Sequence, residues 1–161
     1  MESHTIDKKA EKMSKADVED VILGFKKILL ATDGSKPSVL ATKYAVGMAK
    51  LFNAEMIAIF VDEQFALLPQ ERMSEEEYEG IKHTKAGLKV AEWYAEKSGV
   101  PIETICKRGN APKNIVRIAE KHGVDLIIMG TTGRTGLKRI TIGSVAEMVM
   151  KAAHVPVLVV R

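Results

Sequence analysis

Short apolar runs alternate with segments of helical periodicity along the chain from residue 25 onward. Most of the runs are nearly continuous in Ile, Leu, Val and Met, as expected of strands that are buried on both faces of a sheet. The runs of strand length cover residues 27–32, 56–61, 102–107, 124–129 and 157–160. Strands of this kind separated by helices predict a three-layer, doubly wound α/β domain built on a five-stranded parallel sheet.

Capping residues and glycines predict where the helices begin and end. Ser35, with Pro37 in the first turn, opens the first helix. Its larger apolar side chains predict one inward face, made of Leu40, Tyr44, Met48 and Leu51. A capping box that begins at Ser74 opens a second helix, which we expect to run toward Lys97 and to stop at Gly99.

Two shorter helices are predicted in the second half of the chain. The turn at Asn110 opens a helix that ends near Gly123. The last helix covers residues 144–153 and is broken by Pro156. Its apolar spacing predicts an inward face made of Val145, Met148, Val149 and Ala152.

Residues 1–24 differ from the domain that we expect over residues 25–161. Four side chains in this N-terminal extension have helical spacing, namely Ile6, Ala10, Met13 and Ala16. The pattern predicts a mobile or loosely helical extension, and the alternative, on so short a pattern, is a helix that docks on a partner. The sequence leaves both alternatives open.

Composition narrows the class of protein. Hydrophobic residues make up 46% of the chain and charged residues 28%, which is typical of globular domains. A net charge of +3 is too small to indicate nucleic acid or an anionic membrane as a partner. No apolar stretch approaches the roughly 20 residues that cross a bilayer, and the polar start lacks a signal core, so a cytoplasmic location is expected. The single cysteine, Cys106, lies in an apolar run, which predicts a small core residue in a reducing compartment.

Ligands of doubly wound sheets bind at the carboxyl ends of the strands, so the residues that follow each strand are the first candidates for a site. Asp33 follows the first strand, where its carboxylate could accept hydrogen bonds from a ribose diol or cap the next helix. Val61 ends the second strand, where its backbone could meet an adenine edge. Neither signal is specific by itself.

The segment after the fourth strand is the most informative part of the sequence. It carries Gly130, Gly133 and Gly143, and Gly143-Ser144 opens the last helix. Glycines permit close approach of a ligand to the backbone, and a helix start offers unpaired N–H groups to an anion. Arg134, Lys138 and Arg139 add positive charge, with no acid between residues 130 and 144. The segment predicts a phosphate site; the alternative is a flexible surface loop before a capped helix.

The spacing of these residues excludes two common nucleotide motifs, because neither G-x-x-x-x-G-K-[ST] nor G-x-G-x-x-G occurs. The arrangement Gly130-x2-Gly133-x9-Gly143-Ser144 instead resembles the nucleotide-binding signature of the universal stress protein family, in its ATP-binding branch. The stretches 27–35, 123–130 and 155–160 also look like that family's first, fourth and last strands. The resemblance covers about residues 25–161.

The resemblance implies an adenine-nucleotide alpha-hydrolase-like sheet in the order 3-2-1-4-5. It also implies a homodimer paired through the last strand, Val157–Val160. An exposed strand of such residues would otherwise invite unwanted pairing, which a two-fold partner prevents.

Carried over position by position, the resemblance implies a site for ATP or AMP. Asp33 would hold the ribose, lined by Ala31 and Thr32, and Val61 would meet adenine. Met129 and Gly130 would flank the sugar and first phosphate. The phosphates would be held by Gly133, Gly143, Ser144 and Val145. Arg134 and Lys138 are candidates from charge and position alone, and Mg²⁺ could be held through the phosphates.

The resulting hypothesis is a homodimeric, nucleotide-binding stress-response protein that acts as a switch or sensor for an unknown protein client. The alternatives are a ligand-free dimerisation module of the same fold and a slow ATP hydrolase. The glycine segment contains no histidine or carboxylate that could serve as a dedicated base. A nucleotidyl transferase and a phospho-receiver are disfavoured, because the histidine motif of the former and the paired acids of the latter are missing.

Overall fold

The computed structural model describes residues 24–63, 85–132 and 142–161. The strands are β1 (Lys27–Ala31), β2 (Glu55–Asp62), β3 (Ile102–Arg108), β4 (Leu126–Gly130) and β5 (Val157–Val160). The helices are α1 (Lys36–Phe52), α2 (Ala86–Ser98), α3 (Ala111–Lys121) and α4 (Ser144–Ala152). All paired strands are parallel, in the order β3-β2-β1-β4-β5, so the predicted sheet and its order are confirmed.

The sheet is covered by helices on both faces. Alternate side chains of β1 point to opposite faces: Ile28 and Leu30 pack under α1 and α2, whereas Leu29 and Ala31 pack under α3 and α4. All four are buried. Burying each large aliphatic side chain contributes roughly 1.5–3 kcal/mol, so the central strands supply much of the stability.

The predicted starts of α1 and α3 are confirmed by their caps. The Ser35 side chain accepts a hydrogen bond from the Ser38 N–H, and the Asn110 side chain accepts one from the Lys113 N–H. Both helices carry proline in the first turn, where its missing N–H leaves no partner unsatisfied. As expected, α2 ends at Gly99, which adopts the left-handed conformation that glycine allows.

The predicted inward face of α1 is wrong. Small residues, Ala41, Ala45 and Ala49, face the sheet and are buried. Leu40, Tyr44 and Leu51 are 37%, 53% and 77% exposed, and of the predicted set Met48 alone packs partly against the core. The small side chains let the helix backbone lie close to the sheet, which a face of larger residues would prevent.

Two further burial predictions differ from the structure. In α4, Ala146 and Val149 are buried and Val145 packs partly against the core, whereas Met148 is 49% exposed and Ala152 is exposed. Cys106 is exposed as well, because it lies on β3 at an edge of the sheet.

Some predictions fall on residues outside those that the structure describes. They are the extension over residues 1–23, the capping box at Ser74, and the glycine segment over residues 133–141. Within residues 24–63, 85–132 and 142–161, no helix combines the length and apolar character needed to cross a bilayer.

Candidate functional site at the carboxyl edge of the sheet

The carboxyl ends of β1, β2 and β4 bring most of the candidate residues to one edge of the sheet. Ala31 is in register with Ile59 of β2 and with Met129 of β4. Thr32 and Asp33 therefore follow β1 beside the end of β4, where Gly130 lies. The sequence-based expectation that these residues share one edge is met.

The Asp33 side chain forms a turn at the end of β1. Its Oδ1 accepts a hydrogen bond from the Ser35 N–H at 2.9 Å, and the residue is half-buried. Because Ser35 caps α1, Asp33 is not the cap of that helix. The turn holds the carboxylate at the strand end.

The Thr32 side chain stabilises the same turn from inside. Its hydroxyl is buried, donates to the Ser38 Oγ at 3.2 Å, and accepts from the Gly34 N–H at 3.4 Å. The Ser38 Oγ in turn donates to the Ser35 carbonyl at 2.9 Å. Since this network engages the Thr32 hydroxyl, the side chain positions the turn around Asp33.

Gly130 and Gly143 lie where a side chain would not fit. A β-carbon at Gly130 would stand 2.9 Å from the Pro37 Cβ and 3.1 Å from the Ser38 nitrogen. A β-carbon at Gly143 would stand 2.9 Å from the Thr131 carbonyl oxygen. These glycines let the start of α1 and the approach to α4 pack directly against the end of β4.

The start of α4 presents backbone donors near this edge. The Gly143 N–H donates to the Thr131 carbonyl at 2.6 Å, which fixes the helix start beside the end of β4. The Glu147 N–H donates to the Gly143 carbonyl, as in the first helical turn. Among the described residues, no side chain caps this helix. The N–H groups of Ser144 and Val145 therefore fit an anionic ligand.

One acid lies in the first turn of α4, and its charge is compensated. The Lys151 ammonium donates to the Glu147 carboxylate at 2.7 Å. This hydrogen bond, helped by the charge of Lys151, lowers the pKa of Glu147 below its usual range. The pairing reduces the repulsion that an anion at the helix start would meet.

The end of β2 contributes a contact that sequence reasoning missed. The Glu63 carboxylate accepts a hydrogen bond from the Ala111 N–H at 2.9 Å, which fixes the start of α3. Val61, the residue expected at adenine, is half-buried two positions earlier. No spacing rule links Glu63 to a helix start 48 residues later, so the contact could not be read from the sequence.

A second missed residue is Gly87, in the first turn of α2. A β-carbon there would stand 2.7 Å from the Gly34 nitrogen and 2.7 Å from the Thr32 Oγ1. The sequence did contain a signal, because a glycine inside a helix is unfavourable and calls for a packing reason. Three of the predicted site residues, Gly133, Arg134 and Lys138, lie outside the described residues.

The family model described as "Universal stress protein family" matches residues 24–161. The chain belongs to the universal stress protein family. It is 48% identical over 140 residues to universal stress protein MJ0531 of Methanocaldococcus jannaschii, covering 85% of this chain and 82% of that one. The predicted family membership is thus confirmed.

Solved structures of universal stress proteins have the same fold. The structure of MJ0577 from Methanocaldococcus jannaschii is 35% identical and gives a TM-score of 0.75 over 86% of this chain and 96% of that one. A universal stress protein solved in complex with cAMP is 24% identical and gives a TM-score of 0.64 over 86% of this chain and 98% of that one. At that identity, the likeness to the cAMP complex shows the fold.

Proposed function

We propose that this universal stress protein binds an adenine nucleotide, ATP or AMP, at the carboxyl edge of its sheet. The observation that carries the proposal is the start of α4, whose backbone donors have no side-chain cap among the described residues and lie beside Gly130 and Gly143. A phosphate satisfies such donors and is favoured by the positive end of the helix dipole.

The remaining parts of a nucleotide match groups at the same edge. The Asp33 carboxylate accepts from the ribose hydroxyls, with Ala31 and Thr32 beside it. Val61 contacts adenine through its backbone, and Met129 flanks the sugar. The universal stress protein with cAMP bound supports the class of ligand, because cAMP is an adenine nucleotide.

The phosphate chain extends from the Gly130 backbone toward Ser144 and Val145. Gly133, in the segment between them, completes the backbone donors in this proposal. Arg134 and Lys138 supply positive charge to the terminal phosphates, and Mg²⁺ is held through those phosphates when ATP is bound. Among the described residues of this edge no group is assigned as a catalytic base, so binding is proposed without rapid turnover.

We further propose a homodimer that pairs two copies of β5. This strand is at the end of the sheet, and its residues Val157, Leu158 and Val159 are only half-buried. Pairing about a two-fold axis covers both the apolar side chains and the open backbone groups.

The nucleotide-binding domain covers residues 25–161 and acts in the cytoplasm as a nucleotide-dependent switch or sensor toward a protein client.

Calorimetric titration of the nucleotide-stripped protein tests the binding proposal directly. We expect ATP with Mg²⁺ to bind with micromolar affinity, about −8 kcal/mol. A comparable affinity for AMP would support an energy-state sensor, whereas selective ATP binding would support an ATP-dependent switch. The Gly133→Val variant should fold normally and lose this affinity. Absence of heat at high protein concentration would contradict the proposal and favour a ligand-free dimerisation module.

A further inference from the structure

An apolar seam runs along the outer surface of α1. It consists of Leu40, Tyr44, Gly47 and Leu51, spaced four, three and four residues apart. The three side chains of the seam are exposed, as is Gly47. Lys43, outside the seam, lies 5.9 Å from the ring centroid of Tyr94, so α2 packs along another side of α1. The spacing is that of helices that pair through a heptad seam.

Gly47 is unusual in this seam. Glycine is among the least favourable residues in a helix interior, so it calls for a reason. Its backbone is not left-handed, and a β-carbon there would meet nothing within 4 Å in the described structure. What the missing side chain provides is a notch between Tyr44 and Leu51, one turn away on either side.

We propose that the N-terminal extension of the same chain docks on this seam as a helix. Ile6, Ala10 and Met13 repeat the four-and-three spacing of Leu40, Tyr44 and Gly47. In a parallel register the sizes are complementary, because Ala10 meets the large Tyr44 and Met13 enters the notch at Gly47. Large and small residues across a seam interdigitate in this way.

The point where the extension joins the domain supports docking within one chain. A β-carbon at Gly24 would stand 2.7 Å from the Phe52 ring. The Phe25 ring packs edge-on against the same ring, with 5.4 Å between the two ring centroids. The extension therefore joins the domain at the carboxyl end of α1, where the seam ends at Leu51. Ten residues separate Met13 from Gly24. In the parallel register they have to span only the end of α1, from Gly47 to Phe52, and at up to about 3.3–3.6 Å per residue they are long enough to do so.

Charge complements the apolar match. The charged residues of α1 are all basic, namely Lys36, Lys43 and Lys50. Residues 1–23 carry six acids and four lysines, and three of the acids, Asp17, Glu19 and Asp20, lie in the part that joins the domain near Lys50. The attraction between these acids and Lys50 favours the parallel register over a register that would bring the lysines of the extension next to the lysines of α1.

Hydrogen exchange by mass spectrometry on the full chain tests the proposal. We expect the amides of residues 6–16 to exchange at least about tenfold more slowly than those of the free peptide 1–23. Gly47→Leu, which fills the notch while improving helix propensity, should abolish this protection. Adding Met13→Ala to that variant should restore it, since the large and small positions are then exchanged. Lys97→Leu, at an exposed position of α2 that takes no part in the proposed docking, is the matched control and should change nothing.

Three outcomes would overturn the proposal. The first is exchange of residues 6–16 at the free-peptide rate, and the second is protection that survives Gly47→Leu. The third is protection in a mixture of Gly47→Leu chains, whose seam is blocked, with Met13→Asp chains, whose extension is impaired. Protection regained only in that mixture would mean that the extension docks on a second copy. Neither variant changes the proposed nucleotide site, so calorimetry with ATP reports separately on that function.

Discussion

Gly87 of α2 lies so close to Gly34 that a β-carbon at position 87 would stand 2.7 Å from the Gly34 nitrogen. Gly34 follows Asp33, and its own φ of 79° lies in the region that favours glycine. The first turn of α2 thus buttresses the turn that holds the Asp33 carboxylate. Any change that pushes these two backbones apart should displace the residue assigned to the ribose.

Gly87→Ala should weaken nucleotide binding through this contact. The added methyl group would meet backbone, which cannot move aside as a flexible side chain could, and overpacking of this kind typically costs about 1–3 kcal/mol. We expect a loss of about tenfold in ATP affinity by calorimetry. Gly47→Ala is the matched control, because its methyl group meets nothing within 4 Å. Equal affinities for the two variants would show that the contact does not position the site.

Asp33 can be tested by the sugar of the ligand. Asp33→Ala should weaken binding of ATP more than binding of 2′-deoxy-ATP, because the deoxy sugar already lacks one hydroxyl donor to the carboxylate. Asp33→Asn keeps an oxygen that can accept from the Ser35 N–H, so it preserves the turn and isolates the charge. Calorimetric titrations with both nucleotides give the comparison. Losses of equal size for the two sugars would assign Asp33 to a different part of the ligand.

The sheet was predictable because its strands are buried on both faces. That burial forces nearly continuous apolar runs, and the runs at 27–32, 56–61 and 124–129 stand out for this reason. The strand order came from the family resemblance, since the runs alone do not determine which strands are neighbours. Caps such as Ser35 and Asn110 were predictable because they act within three residues of themselves.

The buried faces of the helices were less predictable, because the larger apolar side chains of these helices are not always the buried ones. In α1, the small residues Ala45 and Ala49 are buried against the sheet, where the helix lies close to it, whereas Tyr44 and Leu51 face outward. A ranking by hydrophobicity favours the larger side chains and chooses the wrong face. The contact between Gly87 and Gly34 joins positions 53 residues apart, so local sequence rules could not reveal it.

The proposed phosphate role of the α4 start can be tested separately from nucleoside binding. Ser144→Ala removes a hydroxyl donor from the first helical position without adding bulk. We expect affinity for ATP to fall by about tenfold or more, the effect of one hydrogen bond to a charged group, while affinity for adenosine is unchanged. Ser98→Ala, at the carboxyl end of α2, serves as the control. A parallel loss for adenosine would contradict a phosphate contact.

The proposed dimer depends on the outer edge of β5. The Ile127 N–H donates to the Pro156 carbonyl and the Thr131 N–H to the Val160 carbonyl, so even-numbered positions face β4. By the alternation of a strand, the backbone groups of Val157 and Val159 point away from β4, toward the open edge. A partner strand would bond to these two residues.

Val159→Asp should therefore convert the proposed dimer into monomers of the 17.7 kDa chain, because a charge would be buried between the paired strands. Since Val159 also packs partly against the core, a second variant is needed. Val159→Pro removes one outward N–H and leaves the bonds to β4 in place.

The control is Cys106→Asp, at an exposed position of β3. It puts the same charge on the opposite edge strand of the sheet, so this variant should remain dimeric. Light scattering gives the mass of each variant and circular dichroism its fold. Folded Val159→Pro protein that stays dimeric would move the interface away from β5.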